Sequence, residues 1–202
     1  MQDQHRFNTK AWLLWTAGFV AFIIGGALAT AVVGRINDVR SALIGGLVAG
    51  AVIGTGQWLV ARRLLDPRTW IPATAVAMSI GLAIGAWVVG YGTSLGELAL
   101  MGAITGIPLG AAQAYLLRDR LAGAWIWAAA IPLLWALGWT VTTAGGIDVD
   151  RQFAVFGAYG AITFMALSGV LLDRLRAATS PPRPAMHPTQ SKVDGPVATQ
   201  HT

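Results

Sequence analysis

The chain has 202 residues, of which 55% are hydrophobic and 11% are charged, and its formal net charge is +5. Soluble domains carry about 25% charged residues, so this composition excludes a soluble globular domain as well as a disordered chain. The absence of cysteine excludes a disulfide scaffold. The basic residues lie in loops and tails rather than on one helix face, so no nucleic-acid partner is expected. We therefore expect a multi-pass membrane protein whose principal partner is the lipid bilayer.

Six apolar stretches are long enough to cross a bilayer as helices, because a span needs about 20 residues and a helix satisfies its own backbone groups in lipid. They cover residues 11–34, 41–61, 70–90, 95–117, 124–144 and 152–172. The predicted fold class is all-α with six transmembrane helices. We divide the chain into an N-terminal segment (residues 1–10), a membrane domain (11–176) and a proline-rich tail (177–202). The tail lacks apolar periodicity, which predicts disorder.

The distribution of Lys and Arg predicts the orientation of these spans, because cytoplasmic flanks carry more basic residues than external ones. Ten basic residues flank the spans on the side of the two termini, and three lie on the opposite side. The ten are Arg6, Lys10, Arg62, Arg63, Arg68, Arg118, Arg120, Arg174, Arg176 and Arg183, and the three are Arg35, Arg40 and Arg151. Both termini are therefore predicted to be cytoplasmic. The excess of Arg over Lys suggests a bacterial protein, hence one of the inner membrane.

A glycine and glutamine pattern occurs twice, with every member displaced by 56 residues. The first copy is Gly46, Gly50, Gly54 and Gln57, and the second is Gly102, Gly106, Gly110 and Gln113. The sixth span repeats Gly-Ala-Ile-Thr from the fourth span but has Gly169 at the offset of the glutamine, so a complete ring of three glutamines is absent. We predict three tandem two-helix hairpins (residues 11–61, 70–117 and 124–172), arranged as parallel repeats around a pseudo-threefold axis normal to the membrane.

The repeated pattern resembles hairpins in a loose group of uncharacterised bacterial multi-pass membrane proteins. In that pattern three glycines at spacing four precede a Gln, an Arg and then a Trp-Ile pair. The two copies here run from Gly46 to Arg62 with Trp70-Ile71, and from Gly102 to Arg118 with Trp125-Ile126. The resemblance covers residues 11–176. It implies an architecture and no activity.

The glycines and the two glutamines are the candidate functional positions. Glycines at spacing four form a glycine zipper, which lets a second helix backbone approach closely; the alternative is a narrow pore lined by glycine. Gln57 and Gln113 each precede an Arg by five residues, so they lie about 7.5 Å inside the basic boundary. An amide there is predicted to hydrogen-bond between helices. The alternative is a polar mouth that contacts a solute or lipid headgroups.

Other conspicuous residues have simpler interpretations. Eight of the nine tryptophans fall near span ends and are predicted to form aromatic belts at the two interfaces. Trp135 falls near mid-span and is interpreted as a packing or lipid-facing residue. Pro108 and Pro132 are predicted to produce static kinks rather than hinges. Glu97 is predicted to cap the fourth span, the alternative being a functional intramembrane acid.

The sequence contains few residues in positions where they could act in catalysis. All three histidines lie in the tails, there is no cysteine, and neither paired carboxylates nor a Gly-x-Ser-x-Gly motif occurs. We therefore expect no enzymatic activity, no cofactor and no metal. The leading hypothesis is a structural or interaction protein whose small-residue helix faces pack against its own repeats, other membrane subunits or a second copy. The alternative hypothesis is a carrier or channel for a small solute along the pseudo-threefold axis.

Overall fold

The computed structural model describes residues 7–147 and 153–179, and 79% of this described part is helical, with no strand in it. Six helical stretches are long and apolar enough to cross a membrane. The helices are α1 (Thr9–Ala17), α2 (Val20–Val33), α3 (Val39–Val60), α4 (Pro67–Val88), α5 (Leu95–Leu117), α6 (Ala124–Ala144) and α7 (Ala158–Thr179). The all-α fold with six spans is confirmed. Successive spans are packed as neighbours, and α1 and α2 also contact α7, so the bundle is closed.

The first span consists of two helices, α1 and α2, where the sequence predicted one. The chain makes a short 3₁₀ turn at Gly18 and Phe19, in which the N–H groups of Gly18 and Phe19 donate to Trp15 O and Thr16 O, both at 3.0 Å. Gly18 is buried, and a Cβ at this position would lie 2.7 Å from Met165 Cε of α7. The turn therefore lies where the first span is in contact with Met165 of α7.

The bounds of the sixth span differ from the prediction at both ends. Helix α7 begins at Ala158, not at residue 152, which lies outside the described residues. The apolar run before it, residues 153–157, is irregular, and its Ala154, Val155 and Phe156 are buried in the bundle. At the other end, residues 177–179 of the predicted tail are helical, and residues 180–202 lie outside the described part. Apolar character alone did not distinguish a helical turn from an irregular buried segment.

An aromatic cluster fills the centre of the bundle, away from its arginine-rich end. Phe22, Phe164 and Phe156 bring their rings to within 5.3–6.1 Å of each other, and Trp135 lies 4.9 Å from Phe156 in an edge-on arrangement. Each of these four side chains is at most 2% exposed. Edge-to-face and offset contacts between rings add to the energy of burial. Three different spans, α2, α6 and α7, are held together by this cluster.

Side-chain caps set where several helices begin. Ser94 and Glu97 form a capping box at the start of α5, in which the Ser94 N–H donates to Glu97 Oε2 at 2.9 Å. The prediction that Glu97 is a cap is therefore confirmed. Asp38 caps α3, and the Ser41 backbone N–H that donates to its carboxylate at 2.6 Å lowers the pKa of this carboxyl. Asp66 caps α4 through the N–H of Arg68 at 3.1 Å.

Candidate functional site

The first glycine series lies against α4. A Cβ at Gly46 would be 2.7 Å from Ser79 Cα, and one at Gly50 would be 2.8 Å from Ala75 Cα. At Gly54 the nearest atom, Thr74 Cβ, would be 3.1 Å away. Such distances leave no room for a larger side chain. The space in front of these glycines is therefore filled by the backbone of α4 and does not form a lumen.

The second glycine series lies in the same way against α6. A Cβ at Gly102 would be 2.6 Å from Trp139 Cδ1, and one at Gly106 would be 2.5 Å from Pro132 Cα. At Gly110 it would be 2.8 Å from Ala128 O. Pro132 thus packs its backbone directly on Gly106. This close contact on a neighbouring helix restricts movement at Pro132, which favours a static role for this proline over a hinge.

The two glutamines lie together in one buried network near the arginine-rich end. The Gln113 amide donates from Nε2 to Gln57 Oε1 at 3.2 Å and to Thr74 Oγ1 at 3.3 Å. The Trp70 indole N–H donates to the same Gln57 Oε1 at 3.1 Å, and the Trp127 indole N–H donates to Gln113 Oε1, also at 3.1 Å. All five side chains are at most 2% exposed. Gln57 Oε1 thus accepts two hydrogen bonds, and both amide hydrogens of Gln113 are used.

We call each contact between one hairpin and the next a junction: the second span with the third, the fourth with the fifth, and the sixth with the first. At the junction of the sixth span with the first, the hydrogen-bond acceptor is a shorter side chain than glutamine. The Trp15 indole N–H donates to Ser168 Oγ on α7 at 3.0 Å, and Ser168 is fully buried. The Trp15 ring also contacts the Trp127 ring edge-on at 6.2 Å. Three tryptophans on the first, third and fifth spans therefore donate to side chains on the sixth, second and fourth spans. The ring of three glutamines is incomplete, as expected, but every junction has an indole donor and a side-chain acceptor.

The geometry at Gly169 explains why this junction has no glutamine. A Cβ at Gly169 would lie 2.9 Å from Trp15 Cδ1 and 3.0 Å from Trp12 Cδ1, so two indole rings already occupy the space of a side chain. A small cavity of about 30 Å³ lies beside them, and Asp173 and Arg176 are among its lining residues. Ser168, the preceding residue, reaches the Trp15 N–H with a single hydroxyl.

The aromatic-belt prediction is wrong for four tryptophans. Trp15, Trp70, Trp127 and Trp139 are at most 3% exposed and belong to the interior. Mid-span Trp135, for which packing and lipid contact were both open, is fully buried. The outward-facing tryptophans include Trp87 and Trp125, which are 66% and 72% exposed.

A second aromatic feature lies at the arginine-rich end, on the surface. The guanidinium carbon of Arg62 lies 5.2 Å from the centroid of the Trp58 ring, and that of Arg118 lies 3.7 Å from the centroid of the Tyr115 ring. These are cation–π contacts within a helix end. Arg120 donates to Leu64 O and so links the loop after α3 to the loop after α5. Arg62 and Arg118 are therefore stacked on aromatic rings, and Arg120 is held by a hydrogen bond to the backbone.

Sequence reasoning identified the two glutamines but missed their partners Trp70, Trp127 and Thr74. The spacing of the tryptophans contains the signal for these partners. The glutamines are 56 residues apart, and Trp70 has two possible counterparts close to that displacement: Trp125 at 55 residues and Trp127 at 57. The sequence favours the first alignment, because both Trp70 and Trp125 precede an isoleucine. The hydrogen bonds instead make Trp70 and Trp127 the equivalent residues, because Trp70 donates to Gln57 and Trp127 donates to Gln113.

The chemistry available to this network is limited to neutral hydrogen bonding. Its members are two amides, one threonine hydroxyl and two indoles, and none of them titrates near neutral pH. Among the described residues no group of three His, Cys, Asp or Glu side chains could hold a metal ion. The network can join helices and fix their rotation.

Comparison with known proteins adds no family. No protein-family model matches the chain, and no match was found among curated proteins or solved structures. The resemblance to the group of bacterial multi-pass membrane proteins remains a prediction. Function is therefore inferred from the geometry of the bundle.

Proposed function

We propose that the protein is a structural or interaction protein of the membrane, without enzymatic activity. The main support for this proposal is that the amides of Gln57 and Gln113 are buried and hydrogen-bonded to one another and to two indoles. Groups that recognise a transported solute must be reachable from water and free to bond to it. Here both of these glutamines are engaged by other spans, which favours a role in holding the bundle together over a polar mouth.

The packing of the interior supports the same role. The space between the spans is occupied by Trp127, Trp135 and Trp139 together with the phenylalanine cluster, and each of these tryptophans is at most 1% exposed. Such a core is close-packed and resists rearrangement. Since the glycine faces of α3 and α5 are used within the chain, other membrane subunits or a second copy would bind through the outward apolar faces instead. The alternative, a carrier or channel, requires a path through this aromatic packing.

The internal repeat is part of the proposal. It is supported by the 56-residue displacement of the glycine and glutamine series and by the recurrence of an indole donor at three junctions. We take the three hairpins to be tandem copies arranged around a pseudo-threefold axis. In this arrangement each even-numbered span bonds to the next odd-numbered span, and the sixth bonds to the first.

Cysteine labelling tests the proposed function against the alternative. The native chain has no cysteine, so Gln57→Cys and Gln113→Cys give no background with a membrane-impermeant maleimide. We expect slow labelling at both positions, because both side chains lie beneath packed indoles. The control is Asp119→Cys, whose native side chain is 80% exposed and which should label rapidly. Labelling of both buried positions at the control rate would indicate an aqueous vestibule and favour the carrier or channel.

The proposal also includes a bacterial inner-membrane location with the arginine-rich end in the cytoplasm. We expect a reporter that is active only in the cytoplasm to be active when fused after Thr179, the end of α7. A reporter that is active only in the periplasm should be active after Gly92 or Gly146, which lie between spans at the opposite end. The reason is the excess of basic residues beside the termini. Periplasmic activity of the fusion at Thr179 would contradict the orientation.

A further inference from the structure

A groove of about 440 Å³ lies between α2 and the last two spans, in the half of the bundle remote from the arginine-rich end. Its wall on α2 includes Ile23, Gly26 and Ala27, and its floor includes Phe22, Trp139 and Phe156. The three aromatic side chains of the floor are at most 2% exposed. The groove therefore reaches only the edges of these buried rings, and its exposed walls belong to α2 and to the residues around the start of α7.

The groove exists because α2 and the segment before α7 stay apart at this level. A Cβ at Gly26 would have only Val155 Cβ within 4 Å, at 3.8 Å, which is an ordinary contact. The six glycines of the two repeated series instead face atoms at 2.5–3.1 Å. Residues 153–157 are also irregular, so no helical face lies opposite Gly26 and Ala27. Small residues on one side and an irregular segment on the other leave the space open.

The hydroxyl groups along the groove already have partners. The Thr30 hydroxyl donates to Gly26 O at 2.9 Å, which is a bond within α2. The Thr142 Oγ1 atom accepts from the Gly160 N–H at 3.2 Å. The remaining described lining is predominantly apolar and aromatic. A ligand that fits these walls is a hydrocarbon chain, since a polar group placed here would lose its hydration without gaining hydrogen bonds.

The mouth of the groove identifies the source of that hydrocarbon. Ile23 lines the groove and is 45% exposed, and its neighbours Ile24 and Leu28 are 48% and 46% exposed on the same apolar span. The groove is thus continuous with the surface that the first span presents to lipid. An acyl chain is a slender, flexible ligand that can enter such a groove sideways from the surrounding lipid. The volume does fall within the roughly 300–1,000 Å³ of small-molecule sites.

We propose that this groove binds one acyl chain of a membrane phospholipid, which inserts between α2 and the segment leading into α7 and rests on the aromatic floor. Aromatic and aliphatic walls provide dispersion contacts for successive methylenes. A lipid held in this way contacts walls on both sides and reaches the edges of core side chains, unlike a lipid against a convex helix face. It would retain its place when the surrounding bilayer is exchanged for detergent.

Native mass spectrometry of the full chain in mild detergent tests the proposal. We expect the wild-type protein to retain one phospholipid. Gly26→Leu and Ala27→Phe should each lower the retained fraction by about tenfold, because the new side chain takes the room of several methylenes. The control is Gly96→Leu, at an exposed position with nothing within 4 Å of an added Cβ, and it should leave retention unchanged. If Gly26→Leu loses its cooperative thermal transition, that variant is misfolded, and lipid retention by Ala27→Phe then tests the proposal.

A photo-crosslinking measurement distinguishes this site from general lipid contact. The probe is phosphatidylethanolamine with a diazirine at the end of one acyl chain, in vesicles that contain the purified protein. Labelling concentrated on residues 22–30 and 153–158, and reduced by both groove variants, supports the proposal. Even labelling over all outward faces would overturn it, as would wild-type retention in both variants. A retained mass that corresponds to a free fatty acid would also overturn it.

Discussion

Gly106→Leu is expected to destabilise the bundle by about 3 kcal/mol or more, the upper range for overpacking a close-packed core. The cause is geometric: a Cβ at this position would lie 2.5 Å from Pro132 Cα and 2.9 Å from Pro132 N. Both atoms belong to the backbone, so no rotation of a flexible side chain relieves the clash. Helices α5 and α6 must separate along their contact. The measurement is the thermal unfolding temperature of the purified protein in detergent.

A matched control exists in the same helix. Gly96→Leu adds the same side chain to α5 at a position where no atom lies within 4 Å of the new Cβ. Its unfolding temperature should stay close to that of the wild type. Equal unfolding temperatures for the two variants would show that the close contact of α5 with α6 contributes nothing to stability. The glycine-packing interpretation would then be wrong.

Gln113→Leu is expected to cost about 1–3 kcal/mol, the penalty for leaving buried polar groups without partners. Leucine has nearly the volume of glutamine but leaves the Trp127 N–H without its acceptor and deprives Gln57 and Thr74 of a donor. We expect a larger loss than for a single interhelical hydrogen bond, which averages about 0.6 kcal/mol in a membrane protein. Gln113→Glu should be worse, since a carboxylate cannot donate to Gln57 or Thr74 and resists burial.

A double-mutant cycle measures the network directly. Trp127→Phe removes the indole N–H that Gln113 accepts, so Gln113→Leu and Trp127→Phe should together cost less than the sum of their separate effects. Partners in one hydrogen-bond network typically show coupling energies of about 0.5–3 kcal/mol. The measurement is the unfolding free energy of the four proteins in detergent. If the two losses of unfolding free energy simply add, the hydrogen bond between Trp127 and Gln113 contributes nothing to stability.

Composition and periodicity sufficed for the membrane architecture. The number of spans follows from the length of apolar runs and the thickness of a bilayer, which are both local quantities. The positions of Gln57 and Gln113 as unusual polar residues, and the role of Glu97 as a cap, could be predicted for the same reason. A cap depends on residues within one turn, such as Ser94 and Glu97.

The orientation of side chains around each helix could not be obtained in that way. Trp125 and Trp127 lie two residues apart and at the same depth, yet the first is 72% exposed and the second is fully buried. Both positions satisfy an aromatic-belt pattern, because an indole has an apolar body and one polar N–H. Which of the two faces the core depends on how α6 is rotated against α5. That rotation is set by the contacts of Gly102, Gly106 and Gly110 along the whole helix.

The sequence by itself determined that six segments are long and apolar enough to cross a membrane, where most of them lie, and which residues of α3 and α5 are small enough to permit close approach. These properties depend only on local composition, that is, on the length and apolarity of each segment and on the size of its side chains. Only the tertiary structure decided that tryptophans serve as interior donors, that Ser168 completes the third junction, and that residues 154–156 are buried without forming a helix. Each of these outcomes depends on groups far apart in the chain, such as Trp15 and Ser168. Their meeting depends on the packing of six helices at once, so the pattern of any one helix does not contain it.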